Sequence, residues 1–165
     1  MKPAPVAAQR IEVSSHPVAA TIESHGCLIV VRRVAGPEAR ELFIHCRPPA
    51  GTAAAGRQAE AIYRAILGVL EAEGGDFGSV VSEMVFLRDL PENIHSVRDS
   101  RRRVLAAGVE VTHGPATIEI EQPPLNERAC LEVMVQAILP NESRPRFEPV
   151  VVTPACDCAE CAHAR

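Results

Sequence analysis

The sequence predicts an α+β domain in which two helices pack on one face of a single, mostly antiparallel sheet. Segments with the alternating pattern of strands flank two segments whose apolar residues recur at helical spacing. Glycine and proline pairs separate these segments, as expected of turns and helix ends. At 165 residues, with 47% hydrophobic and 23% charged residues, the chain is long enough to bury one core. The predicted order of elements is β-β-α-β-α-β-β.

The first two strands are predicted at residues 27–34 and 42–46, which are rich in β-branched and other apolar residues. Gly36-Pro37 lies between them and indicates a hairpin turn. A further short edge strand is expected at residues 11–13.

The first helix is expected to follow the Pro-rich break at residues 48–51, with Thr52 as its N-cap. Gly74-Gly75 ends this helix, because glycine tolerates the left-handed conformation that follows a helix C-terminus. The apolar residues between these points recur at helical spacing and predict one buried stripe: Ala59, Ile62, Tyr63, Ile66, Val69 and Leu70.

Val80–Leu87 predicts a strand that is covered on both faces, with Ser82 and Glu83 as polar exceptions. Pro91 suits the first turn of the second helix, and Gly108 is expected to end that helix. The predicted buried stripe of the second helix comprises Ile94, Val97, Val104 and Leu105.

The last two strands are predicted at Ala116–Glu121 and at residues 129–139, where side chains alternate between two faces. In the first of them Ile118 and Ile120 are expected to face inward, with Thr117, Glu119 and Glu121 on the other face. In the second, one face is predicted to carry Leu131, Val133, Val135, Ala137 and Leu139, and the other Cys130, Glu132, Met134 and Gln136. Because two helices cover only one face of such a sheet, we expect subunit association to cover the other.

The composition argues against several classes of function. A net charge of −4 and an aromatic content of 3%, without Trp, do not favour nucleic-acid binding, which uses basic surfaces and stacking side chains. The basic run Arg101-Arg102-Arg103 is interpreted as the solvated face of a helix. No stretch approaches the roughly 20 apolar residues of a membrane span, and the first residues lack the apolar core of a signal peptide. A cytoplasmic protein with reduced thiols is therefore expected.

Three regions are predicted along the chain. Residues 1–10 form a flexible N-terminus, residues 11–140 form the domain, and residues 141–165 form an extended C-terminal arm. The arm ends in a cluster of soft metal ligands: Cys156, Cys158, Cys161 and His163. Its C-x-C and C-x-x-C spacings allow two thiolates to reach one ion, and thiolates suit zinc, copper(I) or an iron-sulfur cluster. Incidental thiols in a tail and a redox thiol pair are the alternatives.

The other cysteines lie on predicted strands and are expected to be small buried hydrophobes: Cys27, Cys46 and Cys130.

Residues 58–90 contain the first helix and then the sequence DFGSVVSEMVFLRDL, which is close to a helix-glycine-strand signature ending in a "DL" turn. That signature is the one of the RidA/YjgF family. Pro115-Ala116 matches the start of the family's penultimate strand, and Leu131-Glu132-Val133 fits its last strand. Over residues 25 to 140 the chain therefore resembles this family.

The resemblance implies a chorismate-mutase-like fold and a homotrimer whose sheets form a central barrel, with clefts between subunits. Many members hydrolyse reactive enamines and imines made by pyridoxal-phosphate enzymes and release ammonia. In those members an arginine of a "PAR" motif holds the substrate carboxylate through a bidentate contact, and a glutamate on the last strand positions water.

This chain departs from the pattern at both positions. Thr117 stands where the resemblance implies the arginine, and Met134 stands where it implies the glutamate, with Glu132 one pleat away on the same face. A threonine cannot replace a guanidinium as an anion clamp. We therefore do not expect an ordinary 2-iminoacid deaminase.

The candidate acid/base residues are Glu132, Cys130 and His45. The candidate substrate-binding residues are Thr117, Glu119, Arg47 and Met134. Carboxylates where the family has a positive charge favour a neutral or cationic ligand or a metal. The alternatives are that Glu119 faces solvent, that His45 is structural, and that Arg47 or Arg98 supplies a displaced anion clamp.

Two functions follow. The first is a trimer with an altered intersubunit site that hydrolyses or deaminates a small metabolite of the imine or enamine type. The second is a non-enzymatic regulatory trimer that binds a small molecule and senses metal or redox state through its cysteine-rich arm.

Overall fold

A computed structural model of the chain describes residues 18–48, 51, 54–106, 114–124 and 126–141. They form six strands, two α-helices and one short 3₁₀ turn, Phe77–Ser79. The elements are β1 Val18–Ser24, β2 Cys27–Ala35, β3 Ala39–Arg47, α1 Ala55–Ala72, β4 Val80–Leu87, α2 Leu90–Ala106, β5 Ala116–Glu121 and β6 Leu131–Pro140.

The six strands form one sheet in the order β1-β2-β3-β6-β4-β5. Every pairing is antiparallel except that of β4 with β5, which are parallel and are connected through α2. The predicted α+β class, with two helices and a mostly antiparallel sheet, is confirmed. The position of β6 between β3 and β4 decides which side chains can meet.

The sheet has one strand more than predicted. β1 pairs with β2 through a two-residue turn at His25 and Gly26, which have φ angles of 51° and 74°. Positive φ at both positions is the geometry of a tight type I′ hairpin turn. The predicted strand at residues 11–13 and the flexible N-terminus at residues 1–10 lie outside the described residues.

Helix α1 supplies most of the helical side of the core. All six residues of its predicted stripe are buried. The helix begins later than predicted, since its N-cap is Ala54, which has no side-chain capping hydrogen bond, and the Thr52 prediction is wrong. The end is as predicted: Gly74 has φ 78°, and the N–H of Gly75 donates to Leu70 O at 2.8 Å.

Helix α2 begins after Asp89, whose backbone oxygen accepts from the N–H of Asn93. The four apolar residues predicted for its buried stripe are buried, and Ser100 is buried with them. The predicted stop at Gly108 lies outside the described residues. No helix among the described residues is long and apolar enough to cross a membrane.

The two faces of the sheet differ. The helix face of β6 carries the five residues predicted for it, all buried. On the opposite face, here called the open face, large apolar side chains remain exposed: Phe43 at 40% and Ile118 at 57%. The face of β4 that carries Met84 and Phe86 is only half-buried, so the prediction of a strand covered on both faces is not met within one chain.

The alternation predicted for β5 is correct, but its direction is wrong. Ile118 pairs with Met84 and lies on the open face, whereas Thr117 pairs with Glu83 on the helix face. Glu119 lies on the helix face too, where it contacts Arg98 of α2. The reason is that the part of α2 above this edge strand is rich in arginine, so carboxylates rather than apolar side chains complement it.

Candidate functional site

His45 and Glu132 form a polar pair on the open face of the sheet. Nε2 of His45 lies 2.9 Å from Oε2 of Glu132. The two residues come from neighbouring strands, since His45 on β3 is paired with Met134 on β6. The side chain of Glu132 is 8% exposed and that of His45 is 23% exposed. The structure therefore brings two of the three candidate acid/base residues together within a single chain.

Arg47 lies on the other side of the same carboxylate. Its Nε is 3.9 Å from Oε1 of Glu132, which is too long for a hydrogen bond. Both atoms are buried, and neither has a hydrogen-bond partner among the described residues. A buried donor and a buried acceptor left unpaired are costly. A small group that accepts from Arg47 and donates to Glu132, such as a water molecule or a hydroxyl, would pair both atoms.

Apolar side chains surround this polar pair. Met134 is opposite His45 across the strand pairing, and Phe86 of β4 is opposite Glu132. The side chain of Cys130 packs against the core, and its backbone N–H donates to Oε1 of Gln58 at 2.8 Å. We call His45, Arg47 and Glu132 the open-face site. It brings together a carboxylate, an imidazole and a guanidinium. These groups can perform acid/base chemistry on a polar substrate.

The remaining predicted site residues do not join the open-face site. Thr117 and Glu119 lie on the helix face of β5, on the opposite side of the sheet from Glu132. β5 and β6 are not neighbours, because β4 lies between them. Sequence periodicity defines the two faces of each strand but contains no information about the order of strands in the sheet.

A second polar cluster surrounds Glu83, which stands out in the sequence only as a polar exception in an apolar strand. Glu83 is fully buried. Its carboxylate accepts a hydrogen bond from Tyr63 Oη at 2.6 Å, from Arg101 Nε at 3.0 Å and from Thr117 Oγ1 at 3.0 Å. Nη2 of Arg101 lies 2.8 Å from the same carboxylate. A charge in the middle of an otherwise apolar strand was the signal for this cluster.

Burial and hydrogen bonding change the ionisation of the groups around Glu83. Burial, together with the negative charge of Glu83, raises the pKa of Tyr63 well above its ordinary value. Burial alone lowers the pKa of Arg101, but the hydrogen bond and charge of Glu83 outweigh it and raise that pKa. Tyr63 thus stays protonated and Arg101 stays charged, so Glu83 keeps its donors over the physiological range of pH.

A cleft of about 540 Å³ lies beside this cluster, between α2 and β5. Its lining includes Phe77 and Leu105 on the apolar side and Arg98, Arg101, Thr117 and Glu119 on the polar side. Arg98 donates to Glu119 through Nε at 2.8 Å and also through Nη2, and this hydrogen bonding raises the pKa of Arg98. We call this the α2–β5 cleft.

Of the three cysteines predicted to be small buried hydrophobes, Cys27 and Cys46 are fully buried, whereas Cys130 is only partly buried. A hydrogen bond to Cys27 together with burial raises the pKa of the Cys46 thiol. The predicted metal ligands of the arm, Cys156, Cys158, Cys161 and His163, lie outside the described residues. Within the described ranges, no three His, Cys, Asp or Glu side chains are grouped so that they could hold a metal ion.

Comparison with known proteins relates the chain to one fold. No protein-family model and no curated protein matches the sequence. Among solved structures, a proposed translation initiation inhibitor from Salmonella typhimurium superposes with a TM-score of 0.57 at 18% identity, over 75% of this chain and 100% of that chain. A member of the YjgF protein family from Neisseria meningitidis superposes with a TM-score of 0.51 at 20% identity, over 65% of this chain and 84% of that chain.

A proposed endoribonuclease from Thermotoga maritima gives a TM-score of 0.53 at 18% identity, over 64% of this chain and 83% of that chain. The YjgF fold predicted from the sequence is therefore the fold of this chain. Identities of this size show the fold alone, so the activity has to be argued from the site residues.

Proposed function

We propose that this chain hydrolyses a small imine or enamine that carries a carboxylate, at the open-face site. The observation that supports this proposal is the unpaired buried donor of Arg47 opposite the unpaired buried acceptor of Glu132, 3.9 Å apart, with His45 on the second carboxylate oxygen. A water molecule that bridges Arg47 and Glu132 would pair both atoms and would be held beside a base.

The reaction needs a nucleophilic water and a proton for the leaving nitrogen. An enamine first tautomerises to the imine. Glu132 then accepts a proton from the held water as its oxygen adds to the imine carbon, and a protonated His45 donates to the nitrogen. Glu132 passes the water proton on to the nitrogen. When the carbon–nitrogen bond then breaks, its electrons leave with nitrogen as ammonia, and the hydroxyl gives its proton to His45 as the carbonyl forms, which restores both groups. The sum is imine plus water giving carbonyl compound plus ammonia.

Arg47 supplies the positive charge that Thr117 lacks. Its side chain is 38% exposed, so part of the guanidinium remains available to a carboxylate beside the reacting carbon. Met134 and Phe86 form an apolar surface next to the pair, which lowers the local dielectric and strengthens these contacts. The proposed substrate is therefore a small carboxylic acid derivative, in place of the neutral or cationic ligand expected from the sequence.

The open face also supports a homotrimeric assembly. Phe43, Val34, Val81 and Ile118 are large apolar residues that are exposed in the single chain, and contiguous exposed apolar surface marks association sites. Burial of the open face between subunits would also exclude bulk water from the site. The proposal therefore includes a homotrimer located in the cytoplasm.

The test is release of ammonia from enzymatically generated 2-aminoacrylate. The wild-type chain should exceed the buffer rate, and Glu132→Gln should lower the rate by about 10²-fold or more, because the amide cannot accept the water proton. Arg64→Gln is the matched control, since Arg64 forms an exposed ion pair with Glu60 on α1, away from the site. A wild-type rate equal to buffer, or a Glu132→Gln rate equal to wild type, would contradict the proposal. Saturable binding of the substrate without turnover would favour the non-enzymatic alternative.

A further inference from the structure

The buried ion pair of Glu83 and Arg101 takes no part in the chemistry proposed for the open-face site, which lies on the other side of the sheet. Such a pair does not in general stabilise a protein relative to well-packed apolar residues of the same size. Ionisable groups with strongly changed environments beside a cleft are candidates for function. The α2–β5 cleft is the cavity next to this pair.

Glu83 holds the guanidinium of Arg101 by one edge. Both the Nε hydrogen bonds and the Nη2 ion pair of Arg101 are made to this carboxylate. The ring of Phe77 lies 5.2 Å from the guanidinium carbon and that of Tyr63 lies 5.9 Å from it. The group is therefore fixed before any ligand arrives, and its ordering costs nothing further on binding.

The second edge of the guanidinium, which carries Nη1, belongs to a side chain that is 26% exposed and lines the cleft. A planar guanidinium edge matches the two oxygens of a carboxylate. The other two arginines of the lining pair with more exposed carboxylates, Arg98 with Glu119 and Arg102 with Asp99, and their own side chains are 51% and 76% exposed. Arg101 is thus the arginine of the cleft that a fully buried carboxylate holds in place.

We propose that the α2–β5 cleft is a second binding site, which takes a small organic carboxylate through the Nη1 edge of Arg101. Phe77 and Leu105 provide an apolar wall for the body of the ligand, and the cleft volume of about 540 Å³ is that of a small-molecule site. The hydroxyl of Thr117 joins the cleft to the buried carboxylate. A ligand here occupies the face of the sheet opposite the open-face site.

The experiment is a titration of the isotopically labelled full-length chain with sodium benzoate, followed by NMR. Saturable shifts are expected at residues of α2 and β5. Arg101→Lys should weaken benzoate binding at least about tenfold, because an ammonium group that pairs with Glu83 has no second edge. Arg64→Lys, in an exposed ion pair with Glu60 on α1 and away from the cleft, is the matched control and should change the affinity by less than about twofold.

Benzamide gives a test that does not depend on any variant. It has the shape of benzoate without the charge, and it should bind the wild-type chain at least about tenfold more weakly. Equal affinity for the two compounds, equal benzoate binding by wild type and Arg101→Lys, or no saturable shifts in α2 and β5 would each overturn the proposal. Shifts confined to β3 and β6 that disappear in Arg47→Lys would place benzoate at the open-face site and overturn it too. Ammonia release is a separate measurement, so this site and the proposed hydrolysis can fail independently.

Discussion

Tyr63 provides a sharp test of the cluster around Glu83. It is the one tyrosine in the sequence, it is fully buried, and its hydroxyl donates to Glu83 at 2.6 Å. Tyr63→Phe removes that donor with little change in volume. At neutral pH it should destabilise the chain by about 1.5–3 kcal/mol, the usual contribution of a hydrogen bond to a charged group.

This stabilisation depends on pH in a defined direction. The pKa of Tyr63 is raised from its ordinary value of 10.0, so the folded protein binds the phenolic proton more tightly than the unfolded chain does. The contribution is complete below pH 10 and is lost as the pH rises towards the folded pKa. The loss is about 1.4 kcal/mol for each pH unit above 10. The stability advantage of wild type over Tyr63→Phe should therefore vanish about one to two pH units above pH 10.

The assay is urea unfolding of both chains between pH 7 and the alkaline limit of folding, at one fixed protein concentration because association contributes to stability. The difference between the two chains cancels the titration of the cysteines. Phenolate absorbance gives an independent readout, because the single tyrosine should titrate normally in urea and remain protonated in the folded chain. A phenolate signal that appears near pH 10 in the folded protein would refute the reasoning, as would a difference in stability that does not depend on pH.

Three further predictions concern stability and assembly. Arg101→Met should lower the free energy of urea unfolding by about 3–5 kcal/mol, because it leaves Glu83 buried without its cation. Adding Glu83→Met to the same chain should recover most of that loss. A double variant whose loss equals the sum of the two single losses would contradict this. Gly68→Ala should stabilise the chain by about 0.5–1 kcal/mol, since a Cβ at this position in α1 meets nothing within 4 Å. Gly74→Ala should destabilise it, because φ is 78° at that position. Thermal unfolding temperatures that shift in the same direction for both variants would contradict this pair of predictions. Ile118→Glu, at 57% exposure on the open face, should dissociate the proposed trimer with little change in the fold of the subunit; an unchanged mass in light scattering would argue against that face as the interface.

Much of the fold could be predicted because each strand and helix carries its own period. The stripe of α1, the two faces of β6 and the span of β4 are local patterns, and the structure has them as predicted. β1 was not predicted because its alternation is weak, and the His25-Gly26 turn was the available signal. The direction of β5 could not be predicted, since it depends on α2 placing arginines rather than apolar side chains above that edge.

The candidate sites were less predictable for a physical reason. His45 and Glu132 are 87 positions apart and meet only because β6 is inserted beside β3. Tyr63 and Glu83 are 20 positions apart and meet because the side chain of Tyr63 reaches from α1 to β4. Neither contact has a period or a spacing in the sequence. Glu83 was visible as a charge in an apolar strand, but its three donors come from α1, α2 and β5.

The threonine at position 117 and the glutamate at position 83 are best explained together. The resemblance implies an arginine at position 117, and the register places that position directly beside Glu83. Arg101 already reaches this carboxylate from the helix side, and the hydroxyl of Thr117 completes its hydrogen bonds. A second guanidinium at position 117 would compete with Arg101 for one carboxylate and would bring two like charges together. Thr117→Arg should therefore weaken benzoate binding by Arg101 rather than strengthen it.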